Sequence, residues 1–100
     1  MPDWQRILQT AGELFQAGSY MVTVDRWLKM DDNSAIDAID AFVSTSSVAD
    51  VDNMDAVLFH VAVGSTASSD KARLIRFYTI FKVAELVRFE QFRGFPAYEE

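Results

Sequence analysis

The stretch that decides the fold is DKARLIRFYTIFKVAELVRFEQF, Asp70 to Phe92. Apolar side chains dominate it: Leu74, Ile75, Phe77, Tyr78, Ile80, Phe81, Val83, Leu86, Val87, Phe89 and Phe92. Polar residues recur at every third position, as Arg76, Thr79, Lys82, Glu85 and Arg88. At 3.6 residues per turn, a three-residue step falls back by about 60°, so the polar strip winds and most of the circumference stays apolar. The stretch predicts one long helix over about 70–92, roughly 34 Å in length. Gly94 and Pro96 are expected to end it. A helix apolar on most sides has to be surrounded, so it is expected to be the central post of a bundle or half of a dimer seam.

Working back towards the N-terminus, Ser68 or Ser69 offers the cap for this helix, after a loop Ser65-Thr66-Ala67-Ser68. The run from Met54 to Val63 is apolar on nearly all sides. Periodicity does not separate a buried helix from a buried strand there. Helix is preferred because no second convincing strand exists to pair with it, with Gly64 as its stop and Asp50, Asp52 or Asn53 as its cap. Asp31, Asp32, Asn33 and Ser34 form a further cluster of capping residues. Ala35, Ile36, Ile39, Phe42 and Val43 then fall within about 120° of one helical face, opposite Asp37 and Asp40. That amphipathic helix runs into a Ser44–Ser47 loop.

Residues 20–30 carry a helical stripe of Tyr20, Val24, Trp27 and Leu28, although Tyr-Met-Val-Thr-Val also has strand propensity. Helix is preferred here as well, with Ser19 as its cap. Pro2, Asp3 and Trp4 open a first helix whose apolar face is Trp4, Ile7, Leu8, Ala11, Leu14 and Phe15, with Gly18 as its stop. The expected fold is all-α: one domain over residues 1–100, a compact bundle of four or five helices with a long C-terminal helix. No internal repeat is present.

Composition agrees with a packed single domain. Half of the 100 residues are hydrophobic, including eight Phe, two Trp and three Tyr, and a chain of this length buries roughly two thirds of its unfolded surface. Cysteine is absent, which rules out disulfides, thiolate metal sites and a thiol nucleophile, and suits a reducing cytoplasm. The N-terminal MPDWQRILQT lacks a basic region leading into an apolar run, so no signal peptide is expected. No apolar run approaches the ~20 residues of a membrane span. The net charge of −6 disfavours direct contact with nucleic acid or an anionic membrane. Its distribution is two-sided: eight aspartates and no Lys or Arg from Asp31 to Asp70, then six basic residues against Glu85 and Glu90 from Lys71 to Arg93.

The candidate binding residues are the aspartates Asp31, Asp32, Asp37, Asp40, Asp50, Asp52 and Asp55. They offer a negative face for a basic partner, or, more blandly, helix caps and solvated surface favoured by the helix dipole. Calcium is not supported, because neither Asp31 nor Asp50 begins a loop with the required glycine and terminal glutamate. His60, the sole histidine, has Val57, Ala56, Val63 and Gly64 as helical neighbours and reads as a core-edge or interface residue. No G-x-S-x-G or phosphate-binding loop occurs, so neither catalytic residues nor cofactors nor metals are expected. The basic residues Lys71, Arg73, Arg76, Lys82, Arg88 and Arg93 interleave with aromatics. They read better as helix-surface pairs (Asp70–Arg73, Lys82–Glu85, Glu85–Arg88, Glu90–Arg93) than as a nucleic-acid surface.

The function expected is a non-enzymatic protein–protein interaction module. In its sharper form it is a small acidic antagonist that binds a basic or nucleic-acid-handling surface of a larger protein, a profile shared by toxin immunity proteins and phage-encoded inhibitors. The alternative is a homodimeric structural or regulatory adaptor assembled through the apolar C-terminal helix.

Overall fold

The computed structural model describes residues 18–65, 68–91 and 94. They contain four helices: α1 Gly18–Leu28, α2 Asp32–Thr45, α3 Val48–Gly64 and α4 Ser68–Phe89. The expected first helix, with its Trp4-to-Phe15 face, lies outside the described residues, as do Thr66, Ala67, Phe92, Arg93 and the tail from Phe95. The all-α reading holds, and both ambiguous stretches are helical, 54–63 throughout and 20–30 as far as Leu28, with Lys29 and Met30 forming the turn that follows.

Local chemistry sets the ends. Asp31 is extended and its carboxylate accepts the Ser34 N–H at 2.8 Å, which caps α2 as expected. The cap of α3 is Ser47 rather than Asp50, Asp52 or Asn53: its hydroxyl accepts the Asp50 N–H at 3.1 Å. A serine hydroxyl directly before the helix satisfies an orphan N–H, and Asp50 then falls in the first turn, where the dipole favours it. The expected serine loop thus shrinks to Ser46 and Ser47. Gly18 and Ser19 are already helical, so Ser19 is not the cap expected of it, while the stop expected at Gly18 belongs to a first helix outside the described residues. Helix α4 stops at Phe89, three residues short of the expected end. Glu90 adopts a left-handed backbone with φ 59° and donates its N–H to the Leu86 carbonyl at 2.8 Å, the usual way for a helix to close.

Helix α1 packs against α2 and α3, and α4 packs against the same two. Around the bundle the order is therefore α1, α2, α4, α3. The core lies between them, with Val24, Ile39, Val43, Met54, Leu58, Leu74, Phe77 and Phe81 fully buried. Trp27 meets Phe42 edge-on at 5.8 Å, and Phe42 meets Phe81 at 6.4 Å, so aromatics join α1, α2 and α4. Two arginines of α4 close the turns beside it. Arg73 donates to the Leu28 carbonyl at 2.6 Å and to the Met30 carbonyl, at the end of α1. Arg88 donates to the Val43 and Ser46 carbonyls, both at 2.6 Å, at the end of α2. Helix C-termini present carbonyls without intrahelical partners, and a cation suits them doubly.

The most enclosed helix is α3 rather than α4. It buries Val51, Met54, Asp55, Val57, Leu58, His60, Val61, Ala62 and Gly64. Helix α4 buries Leu74, Phe77, Tyr78, Phe81, Lys82, Ala84 and Glu85, but its outward side carries Ile75, Val83, Leu86 and Val87 at 51, 55, 45 and 74 % exposure.

Candidate functional site

The structure divides the seven candidate aspartates. Asp31 is committed to its cap, and the Ser34 N–H holds its carboxyl below the ordinary aspartate range. Asp32 pairs with Arg73 at 3.0 Å and with Arg76 at 3.2 Å, and so is neutralised from across the bundle. Asp50 accepts the Tyr20 hydroxyl at 2.7 Å and ties α3 to α1. Asp52 is exposed on α3, away from the others of α2. Asp55 is not on an acidic face at all, because only 8 % of it is exposed. That placement is a correction with a clear cause: the run around Asp55 faces neighbours on nearly every side, so the carboxylate is buried with its partners.

Those partners form a polar network between α3 and α4. Lys82 Nζ lies 2.7 Å from Asp55 Oδ2 and 3.0 Å from Glu85 Oε1. The Tyr78 hydroxyl donates to Asp55 Oδ1 at 2.6 Å. Burial, together with the acceptor Asp55, pushes the Tyr78 hydroxyl up from its ordinary value. Glu85, 1 % exposed, is pushed up to about 7, first by burial and then by its bond with Asp55, against the pull of Lys82. One ammonium between two carboxylates leaves an excess negative charge in a dry site, and a proton on Glu85 relieves it. The expected Lys82–Glu85 pair is present, while Arg73 and Arg88 reach other helices instead of serving their own surface. With Lys82 buried and the arginines of α4 bound to carboxylates or helix-end carbonyls, Lys71 is exposed and makes no ion pair among the described residues.

Asp37 and Asp40 remain exposed on α2. They rim a groove of about 350 Å³ between α2 and α4, floored by Ile36, Thr79, Ile80, Val83, Ala84 and Val87. On the other flank of α4 a second groove, of about 340 Å³, is lined by Phe59, Ala62, Val63, Lys71, Ile75, Tyr78 and Thr79. Thr79 belongs to both, so the two grooves adjoin across α4. Their floor residues were visible in the sequence only as part of a helix apolar all round. What the sequence did not show is that α2 sets its two outward carboxylates beside Val83 and Val87. Only the packing of α2 on α4 brings them together.

His60 sits at the edge of the core as expected, 6 % exposed and edge-on to Phe59 at 5.8 Å. Burial pulls its imidazole below the ordinary histidine range. Among the described residues no three His, Asp or Glu side chains gather to hold a metal ion, and no helix is long and apolar enough to cross a membrane. Comparison with family models, with curated proteins and with solved structures finds no match to this chain.

Proposed function

We propose that this chain is a non-enzymatic protein–protein interaction module that docks a basic partner on the outer face of α2 and α4. The observation that carries the reading is the groove whose floor is Ile36, Ile80, Val83 and Val87 and whose rim is Asp37 and Asp40. Clustered exposed aliphatic side chains on one helix mark a binding surface more often than scattered ones do. The two carboxylates select what binds: an apolar stripe flanked by Lys or Arg gains, and an acidic one is repelled. In its sharper form the module is a small acidic antagonist that occupies a basic or nucleic-acid-handling site of a larger protein. The net charge of −6 supports this by steering such an encounter.

The test uses a designed amphipathic peptide of about 18 Leu and Lys residues, roughly 27 Å as a helix, and an equivalent Leu/Glu peptide. Fluorescence anisotropy should show the Leu/Lys peptide binding at about 50 mM salt and weakening steeply towards ~300 mM, where screening is shorter-ranged. Asp37→Lys with Asp40→Lys, or Val83→Asp alone, should weaken it at least tenfold, and Asp52→Lys should not. Equal binding of both peptides, or indifference to the groove variants, defeats the proposal.

A further inference from the structure

Thr79 lies where the two grooves of α4 meet. On one side of it are Ile75 and Lys71, towards α3; on the other are Val83 and Val87, towards α2 with its Asp37 and Asp40. Residues 71, 75, 79, 83 and 87 are successive members of one four-residue row, the kind of ridge that governs the commonest helix–helix packing. Such a row is inclined by about 26° to the helix axis, which is why it begins beside α3 and finishes beside α2. About Thr79 the row is nearly self-complementary. Ile75 and Val83 stand at equal steps from the centre, a cation ends one arm, and two carboxylates flank the other.

We infer that this row is the seam of an antiparallel homodimer with Thr79 at the two-fold axis. A two-fold interface uses one patch twice, so that each residue meets its counterpart reciprocally. Laying two rows head to tail sets Ile75 of each copy against Val83 of the other. It brings each Lys71 to the end where the other copy holds Asp37 and Asp40. The helix axes then cross at about 50°, twice the inclination of the row. A parallel arrangement would instead set lysine against lysine and carboxylate against carboxylate. Lys71, Asp37 and Asp40 form no ion pair among the described residues, so the charges are available at both ends. The inference rests on the outer face of α4 being a docking surface, and it names a second copy as what covers that face in the free protein. A basic partner then binds in competition with self-association.

Sedimentation equilibrium of the full chain, from micromolar to millimolar at low salt, tests it. The expected result is reversible association from the 11.3 kDa monomer to twice that mass. Lys71→Glu alone, and Asp37→Lys with Asp40→Lys alone, should each weaken the dimer at least tenfold. Mixed together, these two variants should form a heterodimer at least as tight as the wild type, because every end then carries opposite charges. Because the chain has no cysteine, Thr79→Cys should also yield an intermolecular disulfide under mild oxidation, with Asp52→Cys as the unreactive control. A wild-type chain that stays monomeric at millimolar concentration overturns the dimer. A dimer indifferent to the charge variants also overturns it, since another face would then be joined. If the Leu/Lys peptide still binds the groove of a strict monomer, the docking reading survives; if it does not, both fail.

Discussion

Replacing Glu85 by glutamine should stabilise this protein at neutral and alkaline pH, an unusual outcome for a residue that is 1 % exposed. Glu85 sits beside Lys82 and Asp55 with its carboxyl raised from 4.5 to about 7. The folded state therefore holds this proton more tightly than the unfolded state does. Below about pH 4.5 both states are protonated and the contribution to stability is complete. As pH rises, the unfolded chain ionises first, and stability falls by about 1.4 kcal/mol per pH unit until the folded carboxyl also ionises near 7. Across that window the loss amounts to about 3 kcal/mol, after which this group adds no further slope. Glutamine keeps an oxygen for Lys82 and an N–H for Asp55, and so imitates the protonated acid at every pH. Urea unfolding followed by tryptophan fluorescence, at a few micromolar protein and at intervals from pH 5 to pH 8, reads the difference directly. Glu85→Gln should lie within about 1 kcal/mol of the wild type at pH 5 and exceed it by about 2–3 kcal/mol at pH 8. Parallel pH profiles for the two proteins would refute the reasoning, because the wild-type slope would then come from other groups.

Other changes address packing and helix ends. Phe81→Ala should cost about 3–5 kcal/mol in denaturant unfolding, because Phe81 is fully buried against Phe42; a loss under ~1 kcal/mol would mean that α4 is held far more loosely. Arg88→Ala should cost about 1–3 kcal/mol by removing both donors from the end of α2, and amide exchange should rise first around Val43 to Ser46. Glu90→Gly should raise the unfolding midpoint by an amount worth about 0.5–1 kcal/mol, since Glu90 occupies a left-handed backbone that glycine adopts freely.

How far the sequence could be read depended on whether a feature was local. Asp31 capping α2 needs only its neighbour Ser34, and the long apolar run of α4 needs only its own periodicity, so both were legible. The end of α4 was not, because the local stop signals are Gly94 and Pro96, beyond Glu90, whose left-handed turn no residue preference announces. The burial of Asp55 is not local, for a deeper reason. Counting charges along the chain made it part of an acidic surface, whereas its compensating Lys82 lies 27 residues away on α4. A lone carboxylate inside a run as apolar as Met54 to Val63 is itself a signal that a buried cation must be found. Arg73 and Arg88 follow the same pattern: helix spacing offered each a neighbour on its own helix, and the tertiary fold offered orphan carbonyls at helix ends. The groove was hidden for a geometric reason, since Asp37 and Val83 become neighbours only through the packing of α2 on α4.

The most direct test of the docking face is a nitrogen-15 NMR titration with the Leu/Lys peptide at low salt. Shift changes should concentrate at Ile36, Asp37, Asp40, Ile80, Val83 and Val87, with little effect at Asp31, Asp50 or Asp52. Changes centred on those three aspartates, or no changes anywhere, would contradict the docking face.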